Sequence, residues 1–497
     1  MLPVQKVERV LFVTSELTDL VKVGGLGEVS AYLPRVLRDG GVDTRIMIPG
    51  YRQVLAKIGT PHVVADLPGL NAIPPCKIAL TYADDGLPVY VVLAPELYDR
   101  PGSPYGDESA RDWADNDLRF ARLALAAADI ATGTRNGASA SWTADVVHVN
   151  DWASALTPAY LAWRGQRVPS ILTIHNLAYQ GLFERNRLTA LGVPESAYTV
   201  EGVEFYGRMS FLKAGIVYAS HVTTVSETYA REILTPEFGA GLDGVLKNRA
   251  AQNQLTGILN GIDDSFDPAR DPHLEHHFDA GDFTGKERTA QTVREAFGLA
   301  STGPLFSVIS RLVHQKGLDL IEESADDIVA KGGQVVVIGE GDPAIEKSMR
   351  SLASKYPEHV AVRIGFDETL SRRAYAGADF LLMPSRFEPC GLSQQYAQRF
   401  GTLPIAHKTG GLTDTIKDGV TGFLFGQFSS EGFIEAVGRA FGAYGSRKNL
   451  VAMKRAAMER RNCWRSAAGR YRDVYHAAAS GAGVCAPTFP YDVASAA

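Results

Sequence analysis

The sequence predicts an α/β fold of two doubly wound, Rossmann-like domains facing a cleft. Two series of short β-branched runs, one in the first half and one after residue 256, alternate with helical patterns. Strands alternating with helices build parallel sheets from βαβ units. In addition, 497 residues exceed what one hydrophobic core serves at roughly 150 residues per domain.

In the first series Val10–Val13, Thr44–Ile48, Val89–Leu93, Val146–Val149, Ser170–Ile174 and His221–Val225 read as strands. After the first of them Leu26, Val29, Leu33 and Val36 fall at helical spacing, and Pro34 among them predicts a kink. The stretch 99–117, DRPGSPYGDESARDWADND, is rich in Pro, Gly and Asp and reads as a long loop of the kind that carries function. In the second series Gly257–Leu259, Leu305–Ile309, Gln334–Ile338, Ala361–Ile364, Phe380–Met383 and Leu403–Ala406 read as strands. The connection is placed near Asn253–Gly257, which gives domains over 1–256 and 257–463. Beyond Ala477 the chain turns to Ala, Gly and Ser, so 481–497 reads as a flexible tail.

Apolar residues make up 45% and charged residues 21%, which supplies material for buried cores. Fifty Lys and Arg against 56 Asp and Glu leave a net charge of −6, with no electrostatic footprint for nucleic acid or an anionic membrane. Cys76, Cys390, Cys463 and Cys485 are scattered, as suits reduced cytosolic thiols. The N-terminal apolar run is too short for a signal peptide, and no window approaches the roughly 18 apolar residues of a membrane span. A soluble, cytoplasmic chain is the expectation; the oligomeric state is not legible.

Chemistry concentrates where predicted strands end. KVGGLGEV, residues 22–29, leaves the first strand through Gly24 and Gly25 beside Lys22. Glycines let backbone approach a ligand, and a helix start offers unpaired N–H groups to an anion. In the second half SRLVHQKG, residues 310–317, places Arg311 and Lys316 after a buried strand, where they either meet a diphosphate or lie solvated against a surface carboxylate. Glu388 in PSRFEPCGL either holds sugar hydroxyls or is an acid favoured by a helix start. Thr409, Gly410 and Gly411 repeat the logic of the opening loop as a second anion cradle. Neither HExxH nor an acidic metal loop occurs, and GxGxxG does not follow the first strand, which lowers metal and dinucleotide readings.

In combination KVGGLGEV, YDRPGSPYGD, TIHNLAYQG, FLKAGIVYAS, TTVSETYAREI, GILNGIDDSFDP, SRLVHQKGLDL and PSRFEPCGLSQQYAQRFGTLPIAHKTGGLTDT resemble the bacterial glycogen synthases and plant starch synthases. These are retaining glucosyltransferases of the two-Rossmann-domain GT-B architecture, and the similarity runs from about Val10 to Tyr475. The resemblance implies transfer from ADP-glucose to glycogen or another α-1,4-glucan, without cofactor or metal. Lys22, Gly24 and Gly25 would then meet the donor diphosphate, as would Arg311 and Lys316, with Thr409, Gly410 and Gly411 as the second cradle. Glu388, with backbone groups at Cys390, Gly391 and Leu392, would grip the glucosyl ring.

By the same resemblance His175 lies beside the reacting sugar, Asp151, Tyr105 and Asn260 line its pocket, and Phe366 replaces a tyrosine that stacks on adenine. Residues 464–480 would form a terminal helix that crosses back to the first domain. Two departures stand out: Asn150 and Ala153 occupy positions where many bacterial members carry histidine, and the plant enzymes often carry Asn at the first of them. The rivals are UDP-glucose or another α-glucoside product on the same fold, a glucan phosphorylase, for which no pyridoxal-lysine motif is found, and a non-enzymatic glucan-binding protein.

Overall fold

The first strand, Arg9–Val13, lies in the middle of a nine-stranded sheet rather than at its edge, and that placement puts the loop that follows it at a reversal of strand order. The computed structural model describes residues 7–109, 111–133, 142–300, 302–460 and 462–481. The expected tail lies outside them apart from Gly481. The chain divides into two compact units: one takes the chain up to Val225, Ala230–Ile258 and the helix from Trp464, and the other takes Ser226–Tyr229 and Leu259–Cys463.

The sheet of the first unit has the order Leu255–Gly257, His221–Thr224, Ser170–Ile174, Val146–Asn150, Arg9–Val13, Asp43–Pro49, Pro88–Leu93, Cys76–Tyr82, His62–Leu67. The first seven are parallel; Cys76–Tyr82 pairs antiparallel with Pro88–Leu93, and His62–Leu67 pairs antiparallel with Cys76–Tyr82. Val146–Asn150 and Ser170–Ile174 are buried throughout, as strands covered by helices on both faces must be. Strand order reverses between Arg9–Val13 and Val146–Asn150, so the loops that leave these two strands flank a crevice at their carboxyl ends.

Gly257–Leu259 was expected to open the second series, but the strand is Leu255–Gly257, and it pairs in parallel with His221–Thr224 at the edge of the first sheet. A three-residue edge strand has no periodicity to assign it to either side.

Gly25–Asp39 forms the first long helix, with Leu26, Val29, Leu33 and Leu37 buried, so Leu37 rather than Val36 completes the stripe. Pro34 sits inside it, where its missing N–H leaves the Ser30 carbonyl without the usual i+4 donor. Trp464–Ser480 belongs to the first unit and packs on this helix, with Trp464 stacked on Tyr32 at 6.3 Å. Farther along it, the Tyr475 hydroxyl is 2.7 Å from His148 Nδ1, whose Nε2 is 2.6 Å from Thr173 Oγ1.

The second unit holds six parallel strands in the order Val360–Ile364, Gln334–Gly339, Leu305–Ile309, Phe380–Met383, Leu403–His407, Phe423–Phe425. In its own chain order this is 3-2-1-4-5-6, the doubly wound pattern, with its switch point between Leu305–Ile309 and Phe380–Met383. Apolar clusters cover both faces, one around Phe306, Val337 and Phe433 and the other around Val336, Tyr396 and Phe400.

Candidate active site

At the switch point of the first unit the chain leaves Val13 through Thr14, Ser15 and Glu16 before reaching the glycine loop. Glu16 is buried, and its Oε2 accepts from the backbone N–H groups of Val23 and Gly24, both at 2.8 Å. Its Oε1 accepts from the Tyr105 hydroxyl at 2.7 Å, which also lies 2.8 Å from Ser15 Oγ. Glu16 therefore ties the long loop at 99–115 to the glycine loop, a role the sequence reading missed. The signal was available: it is an acid at the end of the first strand of a doubly wound sheet.

This changes what the glycine loop offers. The Val23 and Gly24 amides are already satisfied, so anion capacity rests on Gly25 and the helix start behind it, with Lys22 alongside. Lys22 pairs with Glu28 from the first turn of that helix. A Cβ on Gly24 would meet nothing within 4 Å, so the backbone here faces open space.

Asp151 and His175 sit at neighbouring strand ends. Asp151 starts a short helix at φ +52°, a left-handed conformation uncommon for a non-glycine residue, and its Oδ1 accepts from the His175 amide at 2.7 Å. Burial, with Glu16 nearby, pushes its carboxyl up to about 7. The His175 ring is held neutral by burial, its value lowered to about 3, and its Nε2 lies 2.9 Å from Asn150 Oδ1. Ala153 is buried in the short helix.

At the switch point of the second unit, the loops after Leu305–Ile309 and Phe380–Met383 bring Lys316 and Glu388 together. Lys316 Nζ donates to Glu388 Oε2 at 2.5 Å, and Ser385 Oγ donates to the same oxygen at 3.1 Å. Both charged side chains are largely buried, so Glu388 is not merely a helix-start acid. A small recess at the strand ends is lined by Ser310, Lys316, Met383, Ser385 and Ser393. Arg311 is exposed, and its guanidinium makes no ion pair among the described residues. Of the solvated alternative, the exposure is present, and the carboxylate partner is not found among the described residues.

The remaining residues shape backbone. Gly411 N donates to the Glu388 carbonyl at 3.0 Å, and a Cβ on Gly411 would come within 2.0 Å of the Cys390 carbonyl oxygen, so only glycine fits. Gly391 has φ +70°. Leu392 precedes the helix Ser393–Arg399, and Thr409 precedes Gly410–Thr415. Burial pushes the Cys390 thiol up to about 12, which leaves it inert as a nucleophile. Asn260 bonds that sulfur while its buried Oδ1 has no partner among the described residues. Phe366 is 68% exposed, with its ring open for stacking. No group of three His, Cys, Asp or Glu side chains suited to a metal ion occurs among the described residues. None of the described helices is long and apolar enough to cross a membrane.

The starch synthase catalytic domain profile matches residues 9–248, and the glycosyl transferases group 1 profile matches 290–457. A glycogen synthase from Pseudomonas putida is 56% identical over 94% of this chain and 89% of its own. The chain belongs to the glycogen synthase family. Glycogen synthase 1 of Bradyrhizobium diazoefficiens is 55% identical, covering 92% of this chain and 98% of the relative. Among solved structures, the catalytic domain of starch synthase IV from Arabidopsis thaliana, bound to ADP and acarbose, superposes with a TM-score of 0.83 at 30% identity, covering 96% of this chain and all (100%) of that one. Sucrose-phosphate synthase from Thermosynechococcus elongatus shares the fold, with a TM-score of 0.61 at 16% identity. Membership makes the chain a glycosyltransferase of GT-B architecture.

Proposed function

We propose that this chain transfers glucose from ADP-glucose to the non-reducing end of an α-1,4-glucan with retention of the α configuration. The observation that carries the reading is the buried Lys316–Glu388 pair on a loop shared with Arg311, which has no ion pair among the described residues, at a doubly wound switch point in a chain 56% identical to a glycogen synthase. A 30% identical starch synthase bound to ADP and acarbose supports the nucleotide.

In this reading Arg311 and Lys316 neutralise the charge that grows on the departing diphosphate, while Glu388 accepts hydrogen bonds from the glucosyl ring. By the resemblance, the Gly25 helix start and Lys22 serve the diphosphate, and Asp151 and His175 serve the reacting sugar. The bond from the anomeric carbon to the phosphate oxygen breaks as the acceptor 4-hydroxyl bonds to that carbon from the same face, and the hydroxyl proton passes to the departing phosphate. With charge neutralised by side chains, no divalent ion is needed. The enzyme acts in the reducing cytoplasm, which suits free thiols at Cys76 and Cys390.

The test is transfer of radiolabel into glycogen from ADP-glucose, beside UDP-glucose and with a chelator present. Label from ADP-glucose that survives chelation is expected. Preference for UDP-glucose would assign the other donor, and abolition by chelation would overturn the metal-free account.

A further inference from the structure

Asn150 is wholly buried at the end of its strand, and its backbone N–H donates to Ser154 Oγ at 2.8 Å. Both ends of its carboxamide are engaged, which settles which way it faces. At 3.0 Å from one end lies the Val13 carbonyl, an acceptor only, so that end is the amide nitrogen. The amide oxygen therefore faces His175 Nε2 at 2.9 Å, and since an amide oxygen only accepts, Nε2 must carry the ring proton. A neutral imidazole has one N–H, so Nδ1 is left as a bare lone pair, with no hydrogen-bond partner among the described residues. The backbone of His175 is pinned at the same time by Asp151.

We propose that Asn150 is a positioning residue that fixes the tautomer of His175, so that Nδ1 presents a hydrogen-bond acceptor to a hydroxyl of the sugar donor. The consequence is specificity of a defined kind. The site takes an O–H donor at that point and cannot satisfy a ligand that offers only an acceptor there. Of the two departures noted in the sequence, the first thus acquires a role: an amide held by Val13 has one acceptor end, whereas an imidazole in its place would bring its own tautomer choice.

The hydroxyl part of this inference rests on the proposed function; the tautomer part does not, and the experiment separates them. Nitrogen-15 imidazole spectra, with the His175 signals assigned by their loss in His175→Asn, should show a protonated Nε2 and an unprotonated Nδ1 in the unliganded wild type. Asn150→Leu should give a mixture of tautomers and lower kcat/KM for ADP-glucose by about tenfold, the scale of one hydrogen bond of about 1.4 kcal/mol. Asn150→Asp, which keeps an acceptor toward the ring, should restore the Nε2–H tautomer. Among monodeoxy ADP-glucose donors, the one that lacks the hydroxyl facing Nδ1 should lose about tenfold with wild type and little further with Asn150→Leu. An Nδ1–H tautomer in the wild type, or an unchanged tautomer in Asn150→Leu, overturns the proposal. Absence of any transfer by the wild type would instead strike the functional reading, with the spectra still deciding the tautomer.

Discussion

Lys316 and Arg311 bring the same charge to the same loop, yet their removal leaves different things behind. Lys316→Ala would strand Glu388 as a buried carboxylate without its cation, a loss of about 3–5 kcal/mol of stability on top of any catalytic cost. Arg311 has no ion pair to break among the described residues, so Arg311→Ala should leave the melting temperature unchanged. Turnover should still fall more than tenfold, because a donor aimed at developing charge supplies about 3–4 kcal/mol. Thermal melts run beside initial rates check both: a melting temperature that drops only for Lys316→Ala is expected, and Lys316→Ala with Glu388→Gln should recover stability but not rate. A wild-type rate in Arg311→Ala would remove that side chain from the mechanism. The individual charges were legible in the sequence; their pairing was not. Lys316 and Glu388 are 72 positions apart and meet only because parallel strands deliver both loops to one edge. Glu16 and Tyr105 are likewise joined across 89 positions.

Among whole elements, glycines that look alike in the sequence do different work. Gly24 has extended backbone and open space around a built Cβ, whereas Gly411 has the Cys390 carbonyl where that Cβ would go. Gly411→Ala should displace the Cys390–Leu392 loop, lowering both melting temperature and activity. Gly24→Ala should fold with an unchanged melting temperature, so any rise in KM for the donor would report a ligand approaching that backbone. Equal destabilisation of the two variants, seen in parallel melts, would contradict this distinction. The terminal helix offers a separate test. Tyr475 is buried and its hydroxyl meets His148, so Tyr475→Phe should cost about 1 kcal/mol in urea unfolding without altering the helical content. The central parallel strands were legible because burial on both faces makes them continuous apolar runs. The antiparallel pair Cys76–Tyr82 and His62–Leu67 was not, since its outer strand is half exposed and carries mixed polarity, and Leu255–Gly257 is too short to show a period.

For the whole molecule, the buried ionisable groups set how stability responds to acid. Burial lowers His148 and His175 to about 3 and His221 to about 4, all well below the ordinary imidazole value near 6.5. Between that value and about 4 the unfolded chain takes up a proton at each of these histidines and the native protein does not. Stability from these groups is therefore complete above the unfolded value and is lost as pH falls through this window. Asp151 acts in the opposite sense: raised to about 7, it holds a proton in the native protein that the unfolded chain has shed, so its contribution is complete below its ordinary value of 3.8 and is lost as pH rises through 7. The three histidines outnumber the carboxyls that burial raises, Asp151 and Asp129, so across this window the unfolded chain binds more protons than the native protein and stability falls as pH falls. Urea denaturation at pH 5 and pH 7 should therefore show a stability lower by a few kcal/mol at the acid end. Replacing His148 with Gln should flatten the slope by about one proton, because glutamine cannot titrate. A pH-independent midpoint would mean that these imidazoles are charged or solvated in the native protein. The neutral His175 on which the Asn150 assignment draws would fall with them.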